Sequence, residues 1–184
     1  MNSVEIDTYI TDPEQRHAGL ARILVYEGIK KHINKYFQSS SGDSLFLCST
    51  LHRENLSSKY VSEFFGLKDS IYVKRRQGRD REVHICKIDI NEYEQYLNHM
   101  YEKLAVLYGY NPQNKIVSRD TTRSILEEQL AYEIQEVNRL NKINMQANNY
   151  TGSIGKMSKT TKIDILRLKL QELDKNINED RGER

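Results

Sequence analysis

At 184 residues the chain suffices for one ordinary domain, or for a small domain with an appendage. Its 28 Lys and Arg against 26 Asp and Glu leave a net charge of +2, which argues against a protein that grips a polyanion by bulk charge. Only 38% of it is apolar, below the roughly 45–50% of globular chains, so part of it is expected to build no deep core; no apolar run approaches the ~20 residues that cross a bilayer.

Residues 4–10 alternate, with Val4, Ile6, Thr8 and Ile10 on one face and Glu5, Asp7 and Tyr9 on the other, the period of a half-buried strand. Thr11-Asp12-Pro13 ends it, because proline removes a ladder donor. Over residues 19–37 the period becomes helical, with Leu20, Ile23, Leu24, Ile29, Ile33 and Phe37 along one stripe. After a Ser- and Gly-containing loop, the continuously apolar residues 45–49 predict a buried parallel strand. A second helix is predicted over 55–65, closed by Gly66 as a left-handed cap. Residues 71–74 and 82–88 read as two strands around a turn at Gln77-Gly78-Arg79-Asp80. The strand–helix–strand beginning implies a right-handed crossover and a parallel pair.

The pattern then changes. Residues 92–108 predict a helix bearing Tyr93, Tyr96, Leu97, Met100, Leu104 and Leu107 on one side, stopped at Gly109. A long polar helix over 121–145 has a narrow stripe of Leu126, Leu130, Ile134, Val137 and Leu140. A Gly- and Ser-containing loop is expected over 148–160, followed by Ile163, Leu166, Leu170, Leu173 and Ile177 at the spacing of a coiled-coil seam. The predicted class is α+β: a β-α-β-α-β-β mixed sheet over residues 1–110, then an α-helical hairpin or coiled-coil tail over 111–184.

The junction of first strand and first helix, Arg16-His17-Ala18-Gly19-Leu20-Ala21, combines a helix N-terminus with small residues. Such a turn aims unpaired amides and a positive dipole end at an anion, and lets it approach the backbone. It resembles the Arg/Gln-x-x-Gly-x-Gly/Ala signature of GNAT-type N-acetyltransferases. Asp12-Pro13 before it, Asn55 and Ser58 on the second helix, and Gly66-Leu67 after that helix resemble further features of the family in the same order. The likeness spans residues 4–88, the acetyl-CoA-binding half of such a domain.

The resemblance implies acetyl-CoA as co-substrate and acetyl transfer to an amine. Arg16, His17, Ala18, Gly19, Leu20 and Ala21 would hold the pyrophosphate, Tyr9, Ile10 and Thr11 would face the pantetheine, and Asn55 would lie near the CoA arm. A backbone N–H near Ile10 would polarise the thioester carbonyl. The family's thiolate-protonating tyrosine aligns with Ser62, so the catalytic acid is open, with Tyr60 and His52 as candidates. The family's first three strands and two helices, which shape the acceptor pocket, are not represented, so the amine is unspecified and self-association or a partner protein through residues 121–177 is expected. The alternative is a non-catalytic CoA-binding or protein-interaction module built on the C-terminal helices.

Other chemistry-bearing residues read as structural. Lys74, Arg75, Arg76, Arg79 and Arg81 make a basic hairpin, a solvated face or else a contact for the CoA 3′-phosphate or nucleic acid, the last disfavoured by the balanced charge. The five histidines show no helical i,i+4 pair, so no metal site is expected. Cys48 and Cys86, without CxxC spacing, read as reduced, buried thiols; with no signal-peptide pattern, this gives a cytoplasmic expectation.

Overall fold

The structure, a computed structural model, describes residues 3–6, 19–39, 42–52, 55–74, 80–147 and 153–182. They divide into two compact units, Met1–Pro112 and Gln113–Arg184.

The first unit is mixed α+β: β1 (Ser3–Glu5), α1 (Leu20–Ser39), β2 (Ser44–His52), α2 (Leu56–Phe64), β3 (Asp69–Lys74), β4 (Asp80–Asp89) and α3 (Tyr93–Tyr108). The sheet order is β1-β2-β4-β3. β1 runs parallel to β2, Val4 opposite Leu47, as a crossover through α1 requires. β4 is antiparallel to both neighbours, with Ser49 and Ser70 opposite His84. Of the strand predicted over 4–10, the described part is β1 with Ile6, whose amide reaches the Cys48 carbonyl at 2.7 Å; residues 7–10 lie outside the described residues.

Three expectations for this unit need correction. β2 is not buried on both faces: Leu45, Leu47, Ser49 and Leu51 point inward, while Phe46, Cys48, Thr50 and His52 alternate with them, half-buried on the other face. The reason is that α1, α2 and α3 all share one core with Leu45, Leu47 and Ile88, and so cover one face of the sheet. For the same reason the Cys48 thiol, on the uncovered face, is only half-buried; Cys86, opposite Leu47 on the covered face, is half-buried as well. On α1, Leu24 is 51% exposed and the buried side is Val25, Tyr26, Ile29 and Ile33. Residues 25, 29 and 33 form an i, i+4, i+8 row, one residue round from the stripe that Leu20 and Leu24 suggested.

Local chemistry sets the helix ends. The Asn55 side chain accepts the Ser58 amide at 3.1 Å and caps α2. At its other end Gly66, at φ 77°, sends its amide to the Glu63 carbonyl while Leu67 reaches back to Ser62, the double bond of a Schellman motif. Gly109, at φ 70°, closes α3 by donating to the Ala105 carbonyl.

The second unit is α4 (Arg119–Ala147) and α5 (Ser153–Gly182), packed together. Ser118 caps α4, its hydroxyl oxygen accepting the Thr121 amide at 3.1 Å. Arg123 near the start of α4 pairs with Asp174 late in α5, so the helices run antiparallel. Ile163 and Leu166 are buried on α5, as Ile125 and Leu126 are on α4, with Leu170 and Leu173 half-buried in line with them. The expected loop over 148–160 is corrected: α5 already begins at Ser153. Once the seam nucleates a helix, extending it backward costs little per residue, even through Gly155. No described helix is long and apolar enough to cross a membrane.

Candidate functional site

The first element a ligand could use is the start of α1. Gly19 has φ 79°, the left-handed region that glycine alone enters freely. Its carbonyl accepts the Ile23 amide at 3.1 Å and opens the helix. The first amides of an α-helix have no acceptor within it and, with the dipole, favour an anion. Because β1 and β2 are parallel, this N-terminus lies at their carboxyl end, together with His52, the last residue of β2, and Asn55. Tyr9, Ile10, Thr11, Arg16, His17 and Ala18, the other expected contacts, lie outside the described residues.

An aromatic ring covers this glycine. Tyr108, the last residue of α3, lies so close that a Cβ on Gly19 would stand 2.3 Å from its Cδ1. One step along α1, the Arg22 guanidinium sits 5.3 Å from the Phe64 ring centre and 5.4 Å from that of Tyr108. Lys103, only 8% exposed, brings its ammonium to 4.9 Å from the same Phe64 ring. Rings attract cations through their negative faces, by about 2 kcal/mol when water is excluded. The rings of Phe64 and Tyr108 are themselves 6.2 Å apart and tilted by 60°. Within this cluster the Arg22 Nε is buried and has no hydrogen-bond partner among the described residues. Leaving such a donor unmet costs on the order of 1–3 kcal/mol. The sequence marks Gly19 but not the Tyr108, Phe64, Lys103 and Arg22 cluster, since its members come from three helices.

The expected CoA-arm contact Asn55 and the groups bearing on the catalytic acid are placed as follows. Asn55 is occupied in capping α2. Ser62, aligned with the family's tyrosine, is buried, and its carbonyl accepts the Phe65 and Leu67 amides. Tyr60 is half-buried on α2, about 200° round the helix from Ser62 at 3.6 residues per turn. His52 is half-buried, and its carbonyl accepts the Asn55 amide at 2.8 Å.

A second polar cluster went unnoticed in the sequence. His84 is buried on β4, its Nδ1 3.2 Å from the Leu67 carbonyl and its Nε2 3.3 Å from the Glu82 carboxylate. The signal was the alternation itself, which sets Glu82, His84, Cys86 and Ile88 on one face. Both ring nitrogens are engaged, so His84 tethers the loop after α2 to the sheet and leaves no nitrogen for a serine nucleophile such as its ladder neighbour Ser49.

The Cys48 Sγ donates to the Val4 carbonyl at 3.5 Å, and burial followed by the charge of Glu5 pushes the thiol up. A thiol held protonated is a poor nucleophile. Tyr96 and Tyr101 of α3 serve packing: Tyr96 donates to the Phe65 carbonyl at 3.1 Å and Tyr101 bonds to Asn111. Among the described residues no group of three or more His, Cys, Asp and Glu is placed to hold a metal. No family model, curated protein or solved structure matches the chain.

Proposed function

We propose that the first unit binds acetyl-CoA at the N-terminus of α1 and serves transfer of its acetyl group to an amine. The observation that carries this reading is the parallel β1–α1–β2 unit with Gly19 opening α1 in the left-handed conformation at the strands' carboxyl end. The Arg22 Nε–H, without an acceptor among the described residues, adds to it, since a guanidinium is a planar fork suited to phosphate oxygens.

In the reaction a neutral amine forms a bond to the thioester carbonyl carbon, the nitrogen gives up its surplus proton to water, the carbon–sulfur bond breaks, and the thiolate takes up a proton. Tyr60 and His52 are the candidates to supply that proton, His52 being the one at the same end of the sheet as Gly19. We further propose that α4 and α5 form an antiparallel coiled coil used for assembly, which Leu168, 58% exposed away from the seam, favours.

Titrating the whole chain with acetyl-CoA by calorimetry tests the reading, with amide NMR locating the site. Binding should shift the amides of Gly19, Leu20 and Ala21 first. No heat at millimolar ligand, or binding that leaves these three amides unmoved, sinks it.

A further inference from the structure

We propose that the Tyr108 ring is a gate over the start of α1, displaced when a phosphate group of CoA reaches Gly19 and Arg22; the inference rests on the acetyl-CoA reading above. The ring stands where a Cβ of Gly19 would be 2.3 Å from Cδ1. A phosphate oxygen needs more than 3 Å from a ring carbon, so ring and phosphate cannot share that flank of the backbone. The same ring helps hold Arg22, whose guanidinium lies 5.4 Å from it and 5.3 Å from Phe64, with the Nε–H buried and, among the described residues, without an acceptor. An arriving phosphate supplies that acceptor and a charge-assisted bond in place of one cation–ring contact. Lys103, beside Phe64, adds a second positive charge to the place the anion would enter.

The position of Tyr108 makes the displacement feasible. It is the last residue of α3, where helices fray most readily. Gly109 follows at φ 70°, a residue that can change backbone conformation without a side-chain penalty. Turning Tyr108 outward therefore needs no change in the buried residues Met100 and Leu104 that anchor α3 to the core.

Calorimetry of CoA binding to the full chain, to Tyr108→Phe and to Tyr108→Ala tests the gate. If the ring closes the site about nine-tenths of the time, Tyr108→Ala should bind about tenfold more tightly and Tyr108→Phe like the wild type. CoA bound by both wild type and Tyr108→Ala, with no gain for the latter, overturns the gate and spares the acetyl-CoA reading. CoA bound by neither overturns both. Should Tyr108→Ala fail to fold, Tyr108→Trp decides, because the chain has no other tryptophan. Saturating CoA should then shift its emission to the red and expose it to acrylamide; unchanged emission overturns the gate.

Discussion

Burial and one carboxylate hold back the ionisation of several tyrosines. Burial, then the charge of Glu27, pushes Tyr26 up to about 12. Tyr110 is pushed up to about 12 as well, by burial and then by its 2.5 Å hydrogen bond to Glu27. Tyr96 is raised further, chiefly by burial. An unfolded tyrosine ionises near ~10. Between that value and about 12 the folded chain keeps protons that the unfolded chain releases. The stability from Tyr26 and Tyr110 is therefore complete below about pH 10 and is lost as pH rises through about 12. Tyrosinate absorbance followed against pH should include a late stage, in which these three ionise only as helical circular dichroism collapses. One transition near ~10 for all 12 tyrosines would contradict this.

Elements in this chain are bounded by short-range devices and held by one-sided faces. The Asn55 cap contributes about 1 kcal/mol to α2. In the second unit the decisive feature is which side of α5 meets α4. Leu170 is half-buried in line with Ile163 and Leu166, whereas Leu168, two residues before it, is 58% exposed. A charge at the first position must be desolvated; at the second it stays in water. Leu170→Asp should cost about 2–4 kcal/mol and lower the thermal midpoint of the hairpin, while Leu168→Asp should stay within about 0.5 kcal/mol. Equal losses in the two melts, read by circular dichroism, would mean that the seam is misassigned.

For the whole molecule, the open edge of the sheet matters most. β1 ends the order β1-β2-β4-β3, and among the described residues no strand pairs with its outer side. A strand edge presents unpaired amides and carbonyls and invites another chain. The chain should therefore self-associate as its concentration rises. Light scattering would show this as a growing mass; a constant monomer mass up to high concentration would rule it out.

What the sequence determined by itself was the kind and order of elements, because strand and helix periods and glycine stops act over a few residues. Gly66 and Gly109 sit at positive φ at the helix ends where the sequence reading put them, and the seam from Ile163 to Leu173 faces inward. Of the candidate site, Gly19 was legible for the same local reason, and the tertiary structure decided what surrounds it. The placement of β4 between β2 and β3 and the coverage of one sheet face follow from pairing distant segments. So do the burial of Val25 instead of Leu24 and the His84 bond to Leu67. The ring of Tyr108 over Gly19 joins the end of one helix to the start of another. No local period encodes such a contact, since it forms only when both helices pack on the same sheet.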